Sequence, residues 1–97
     1  MEKKEILDIY TEALDKWGTS AQIMMLYEEC GELLSAISKL ERGRVSENDV
    51  ITELADVSIM VEQIALLFGY DKFENEKENK LKRLKERLDK HNKVENT

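Results

Sequence analysis

The sequence predicts an all-α protein with a four-helix bundle-like fold, and three observations predict it. Proline is absent from the 97 residues, so no residue in the chain removes a backbone donor from a helix interior. Apolar residues recur at three- and four-residue spacing rather than in alternation, which is the helical period. Three of the four glycines, Gly18, Gly43 and Gly69, fall between these patterns, where helices stop.

The first helix, about residues 3–17, places Ile6, Tyr10, Ala13, Leu14 and Trp17 on one stripe, with Gly18 where a C-terminal cap belongs. Thr19, followed three residues later by Gln22, reads as a capping box opening a second helix that runs to about Leu40. Its Ile23, Leu26, Tyr27, Cys30, Leu33, Leu34 and Ile37 are expected to face a core. Gly43 ends the turn that follows, and Ser46 with Asp49 caps a third helix over about 47–68. That helix is so apolar, from Leu54 and Val57 through Ile59, Met60 and Val61 to Ile64–Phe68, that a central position is expected. After Gly69, Asp71 is the expected cap of a fourth helix, whose Leu81, Leu84 and Leu88 form a narrow seam between charges. Residues 92–97 are expected to fray.

A chain of this length fits one domain, 1–97, and buries only about 60–65% of the surface its unfolded form exposes. Its core is therefore expected to be thin and to be completed by further copies of the chain. The net charge of −6 argues against binding a nucleic-acid polymer by blanket phosphate neutralisation. Charge is also unevenly spread: residues 1–70 hold 6 basic and 14 acidic side chains, whereas residues 80–93 hold 7 basic and 2 acidic. The single cysteine, Cys30, excludes an internal disulfide and a cysteine-based zinc cluster, and reads as a small apolar residue on the second helix. With no apolar signal core at the start and no apolar run long enough for a bilayer, a cytoplasmic protein without membrane contact is expected.

The chemistry is expected in four carboxylates. Glu29 and Glu32 on the second helix, and Glu53 and Asp56 on the third, are each three residues apart, about 60° around the helix axis. Each pair borders packed surface, and Asp56 lies between Ala55 and Val57, where an ionised carboxylate needs a counter-charge. Oxygen ligands with no nearby His or Cys suit Mg²⁺, with Mn²⁺ as a substitute, rather than zinc. His91, alone in the basic tail, does not supply the Glu-x-x-His pairs of a di-iron bundle. Charged helical proteins also carry solvated Glu-x-x-Glu pairs by chance, and that plainer reading stands beside the metal reading.

The segment Glu28-Glu29-Cys30-Gly31-Glu32, followed after twenty residues by Glu53-Leu54-Ala55-Asp56, resembles the E-E-x-x-E … E-x-x-D signature of the MazG-like all-α pyrophosphohydrolases. The likeness spans about residues 13–88 and takes in Lys16-Trp17-Gly18, Gln22, Ala36–Lys39, Arg42-Gly43-Arg44 and Lys80-x-x-Arg83. It implies the MazG-type fold and hydrolysis of a nucleoside triphosphate to the monophosphate and pyrophosphate, in the service of nucleotide-pool housecleaning. It further implies that Glu29, Glu32, Glu53 and Asp56 hold Mg²⁺ and that dimers or tetramers form. Glu28 matches the motif's first position but points about 100° from Glu29, so a water-orienting role is what remains for it.

Lys80, Arg83 and Arg87, with Lys77 extending the row, share a face of the fourth helix and are the candidates for meeting substrate phosphates. A solvated face pairing with Glu76 and Glu86 is the alternative. Gln22 reads either as a nucleotide contact or as a cap, and Trp17 either as a base-stacking ring or, the reading favoured on its helix position, as core. Lys39, Arg42 and Arg44 read as phosphate contacts or as charges favouring a helix C-terminus. A different class of function also fits: a non-catalytic helical self-association module, which predicts no metal dependence.

Overall fold

The computed structural model describes residues 1–95 and contains four helices: α1 Lys3–Trp17, α2 Thr19–Glu41, α3 Glu47–Phe68 and α4 Tyr70–Glu95. These boundaries lie close to those expected, because the stop signals are local. Gly18 adopts φ 89°, a value L side chains rarely adopt, and its N–H bonds Leu14 O at 2.9 Å to close α1. Gly43, at φ 69°, ends α2 in a Schellman arrangement, with Arg44 N–H on Lys39 O at 2.8 Å and Gly43 N–H on Leu40 O at 2.9 Å.

Ser46 and Asp49 open α3 as expected. Asp49 accepts the Ser46 N–H at 2.8 Å, while Ser46 Oγ accepts the Asp49 N–H at 3.3 Å. Two other expected caps do not form. Thr19 is already the first helical residue of α2, no side chain caps that end, and the Gln22 side chain is engaged elsewhere. Asp71 lies inside the first turn of α4, which begins at Tyr70, so it complements the helix dipole instead of capping. At the far end α4 runs through Glu95, past the start of the expected fraying; residues 96 and 97 lie outside the described residues.

The chain falls into two units, residues 1–67 with α1, α2 and nearly all of α3, and the segment from Phe68 onward, which carries α4. In the first unit the Tyr10 hydroxyl donates to the Glu62 carboxylate at 2.6 Å, tying α1 to α3. The buried residues are Tyr10, Gln22, Ala36, Met60, Gln63 and Ala65. No large side chain is fully buried among the described residues, so the core is thin. The expected stripes are only partly covered: Trp17 is 60% exposed and Leu34 70%, and Tyr27, Ile37, Leu54, Ile59, Val61, Leu67 and Phe68 also face outward. The favoured core reading of Trp17 is thereby overturned. The physical reason is that α3 carries apolar residues on more than one face, and α1 and α2 of the same unit leave part of them uncovered. In α4 the leucine seam is open to solvent, and Lys80–Glu76 and Lys85–Asp89 pair along the helix at 3.7 and 2.6 Å. No helix among the described residues is long and apolar enough to cross a membrane.

Candidate metal centre

Antiparallel pairing of α2 and α3 assembles the acidic site. Contacts between the two helices follow one register, in which Gln22 meets Gln63 and, seven residues further along each, Glu29 meets Asp56. Seven residues are close to two helical turns, so both sets of side chains return to the same face, about 10 Å apart along the axis.

Glu29, Glu53 and Asp56, all half-buried, bring one carboxylate oxygen each to within 4.8 Å of one another. Burial and then the like charges of Glu32, Asp56, Glu53 and Glu28 push the Glu29 carboxyl above its ordinary value of 4.5. Burial, followed by Glu32 and Asp56, does the same at Glu53. Glu29 Oε2 and Glu53 Oε2 are buried and have no hydrogen-bond partner. A buried acceptor without a donor is costly, and three carboxylates facing one another add repulsion. A divalent cation relieves both, and the all-oxygen donor set fits Mg²⁺ or Mn²⁺.

The fourth expected ligand, Glu32, stands at the edge of this cluster. Its side chain is exposed, raises the proton affinity of both Glu29 and Glu53, and borders a groove of about 320 Å³ with Ser35, Lys39, Asp49, Thr52 and Glu53. Glu28 is exposed on the neighbouring side of α2 and adds only its field to Glu29. Of the basic residues near the α2–α3 loop, Lys39 reaches the groove, whereas Arg42 folds back onto Ser38, donating to its carbonyl at 3.3 Å and to its hydroxyl at 3.1 Å. Lys80 and Arg83 are exposed on α4, Lys80 beside Glu76.

Gln22 and Gln63 are buried, 7% and 4% exposed, and the Gln63 amide N–H donates to Gln22 Oε1 across the α2–α3 interface. Gln22 also lines a cavity of about 550 Å³ together with Trp17, Ala21, Met24, Met25 and Glu28. Lys16 Nζ lies 5.4 Å from the centroid of the Trp17 ring, a cation–π contact. Gln63 escaped sequence reasoning, although a polar residue within the apolar run of α3, seven after Asp56 as Gln22 is seven before Glu29, was a usable signal. Compared with protein-family models, curated proteins and solved structures, the chain finds no match.

Proposed function

We propose that the chain is a Mg²⁺-dependent pyrophosphohydrolase of the MazG-like kind, converting nucleoside triphosphates to monophosphate and pyrophosphate. The observation that supports this reading is the meeting of Glu29, Glu53 and Asp56 from two helices, with two of their oxygens buried and unpartnered. Mg²⁺ bound there supplies positive charge against the phosphates and acidifies water.

The protein's own groups then have distinct tasks. Glu29, Glu53 and Asp56, with Glu32 beside them, would hold the ion. Glu28, exposed beside the cluster, would orient the attacking water and accept its proton as the water oxygen bonds to the α-phosphorus. The bond from that phosphorus to the bridging oxygen breaks, and pyrophosphate leaves with the electron pair. Lys80 and Arg83 are the proposed cations for the phosphates. Trp17 and Gln22, on one cavity, are the proposed contacts for the nucleoside. The purified protein is incubated with a panel of canonical and modified triphosphates, with Mg²⁺ or with EDTA, and the products are separated by chromatography. Metal-dependent release of monophosphate and pyrophosphate is expected; no turnover of any nucleotide would overturn the proposal.

One observation favours a second reading: the outward-facing apolar residues of α2, α3 and α4 suit a self-associating helical module, as a dimer or tetramer. Assembly that proceeds identically with EDTA and no hydrolysis is the outcome that selects this reading over the enzyme.

A further inference from the structure

The buried Gln22–Gln63 pair calls for a reason. Two amides placed in the interior of a thin apolar core cost more than the same volume of hydrocarbon unless their polar atoms are used. The Gln63 N–H satisfies Gln22 Oε1, which fixes the orientation of the Gln22 amide. Gln22 Nε2 is then left without a bonding partner among the described residues, on the wall of the cavity that also holds the exposed Trp17 ring.

The position of this pair along the helices adds a second observation. It lies one heptad from the Glu29–Asp56 contact on both α2 and α3, about 10 Å along the axis. That is the reach of a nucleotide from its α-phosphate to the far edge of its base. A phosphorus atom at the carboxylates and a base in the Trp17 cavity are therefore compatible with one ligand.

We propose that Gln63 is a positioning residue for base selection: by donating to Gln22 Oε1 it turns the Gln22 N–H towards the cavity, so that the site takes nucleobases presenting a carbonyl on that edge in preference to those presenting an amino group. This rests on the nucleotide reading of the acidic site. Uracil and hypoxanthine belong to the favoured class. Cytosine and adenine, with an amino group at the corresponding edge, would set donor against donor, and a buried donor left unpaired is the source of the discrimination. Trp17 supplies a stacking face indifferent to base identity.

Two pairs of ligands isolate this edge, UMP against CMP and IMP against AMP. Binding of each to the Mg²⁺-loaded protein is measured calorimetrically, and kcat and KM are measured for the four matching triphosphates. Wild-type protein is expected to favour the carbonyl member of both pairs by about tenfold, carried in KM rather than kcat. Gln63→Met, which keeps volume but removes the donor, is expected to bring both ratios to about one, a change that loss of packing alone does not produce. Equal affinity for both members of each pair in the wild-type protein overturns the inference, whether or not the variant folds. So does a ratio that Gln63→Met leaves unchanged. Preferential binding of UMP and IMP without turnover supports the positioning role while defeating the hydrolase reading; turnover without base preference does the reverse.

Discussion

At the scale of single residues, the acidic cluster combines repulsion with ligand capacity. Glu53→Gln and Asp56→Asn each remove one of the facing charges, so each is expected to abolish turnover, by at least about a hundredfold, while leaving helicity intact and the metal-free protein as stable as before or more so. Wild-type activity in either variant, read beside its circular dichroism, overturns the metal assignment. Protonation follows the same logic. Glu29 and Glu53 bind protons more readily in the folded chain than at their ordinary 4.5, so the folded state holds the extra protons just above that value. Their favourable contribution is complete below the ordinary value and is lost as pH rises through the raised ones. Without metal, the protein is expected to melt at a higher temperature near about pH 5.5 than near about pH 7.5, and Glu53→Gln should flatten that difference. Mg²⁺, which binds the ionised form, should raise the neutral-pH melting temperature of the wild type and leave that of Glu53→Gln little changed. Asp49, held below its ordinary 3.8 by the Ser46 N–H, loses its contribution only at more acidic pH and does not interfere. What the sequence withheld at this scale was the partner of Gln22. The Thr19–Gln22 pattern satisfies a local capping rule, yet the side chain is bound to a residue 41 positions away, and no short-range rule reports that.

At the scale of elements, the four helices were legible almost to the residue because each boundary is written locally, in Gly18, Gly43, Gly69 and the Ser46–Asp49 box. Ser46→Ala should cost about 1 kcal/mol, since the Asp49 N–H loses its acceptor at the start of α3, and thermal melting reads it directly as a drop of about 5 °C. That α2 and α3 bring carboxylates together was also legible, because the short connection between Glu41 and Glu47 turns the chain back antiparallel, and the two pairs stand at similar distances from it. That Glu32 would stand exposed at the rim, beside Glu29 and Glu53, was not, since it depends on how the two helices are rotated about their axes. On α4, Lys80 makes one loose pair with Glu76 in full solvent, an interaction too weak to account for the residue on stability grounds. Lys80→Ala is therefore expected to leave the melting temperature within about 1 °C and to raise KM for triphosphates several-fold. Unaltered kinetics would return Lys80 to the solvated face.

At the scale of the whole molecule, composition had indicated a thin core, and no large side chain is fully buried among the described residues. Which apolar residues would stay uncovered could not be read from stripes alone. Leu34 and Tyr27 lie on the same stripe as the half-buried Cys30, yet they are 70% and 67% exposed, and which flank of a stripe is covered depends on how α2 is rotated against its neighbours. So much outward-facing hydrocarbon on a short chain is expected to be covered by another copy. Light scattering should find an oligomer at micromolar concentration, and Leu34→Glu or Leu84→Glu should shift it towards smaller species. A monomer for the wild type at those concentrations contradicts the argument.

Trp17 is the chain's single tryptophan, and its ring stands largely in solvent at the mouth of the Gln22 cavity. The protein therefore carries its own optical probe. All indole emission originates from one place, so a base settling onto the ring should quench it, and a neighbouring subunit covering it should move the emission to the blue. Occupancy of the cavity and assembly of the protein can thus be followed separately, by intensity and by colour, in unlabelled wild-type material.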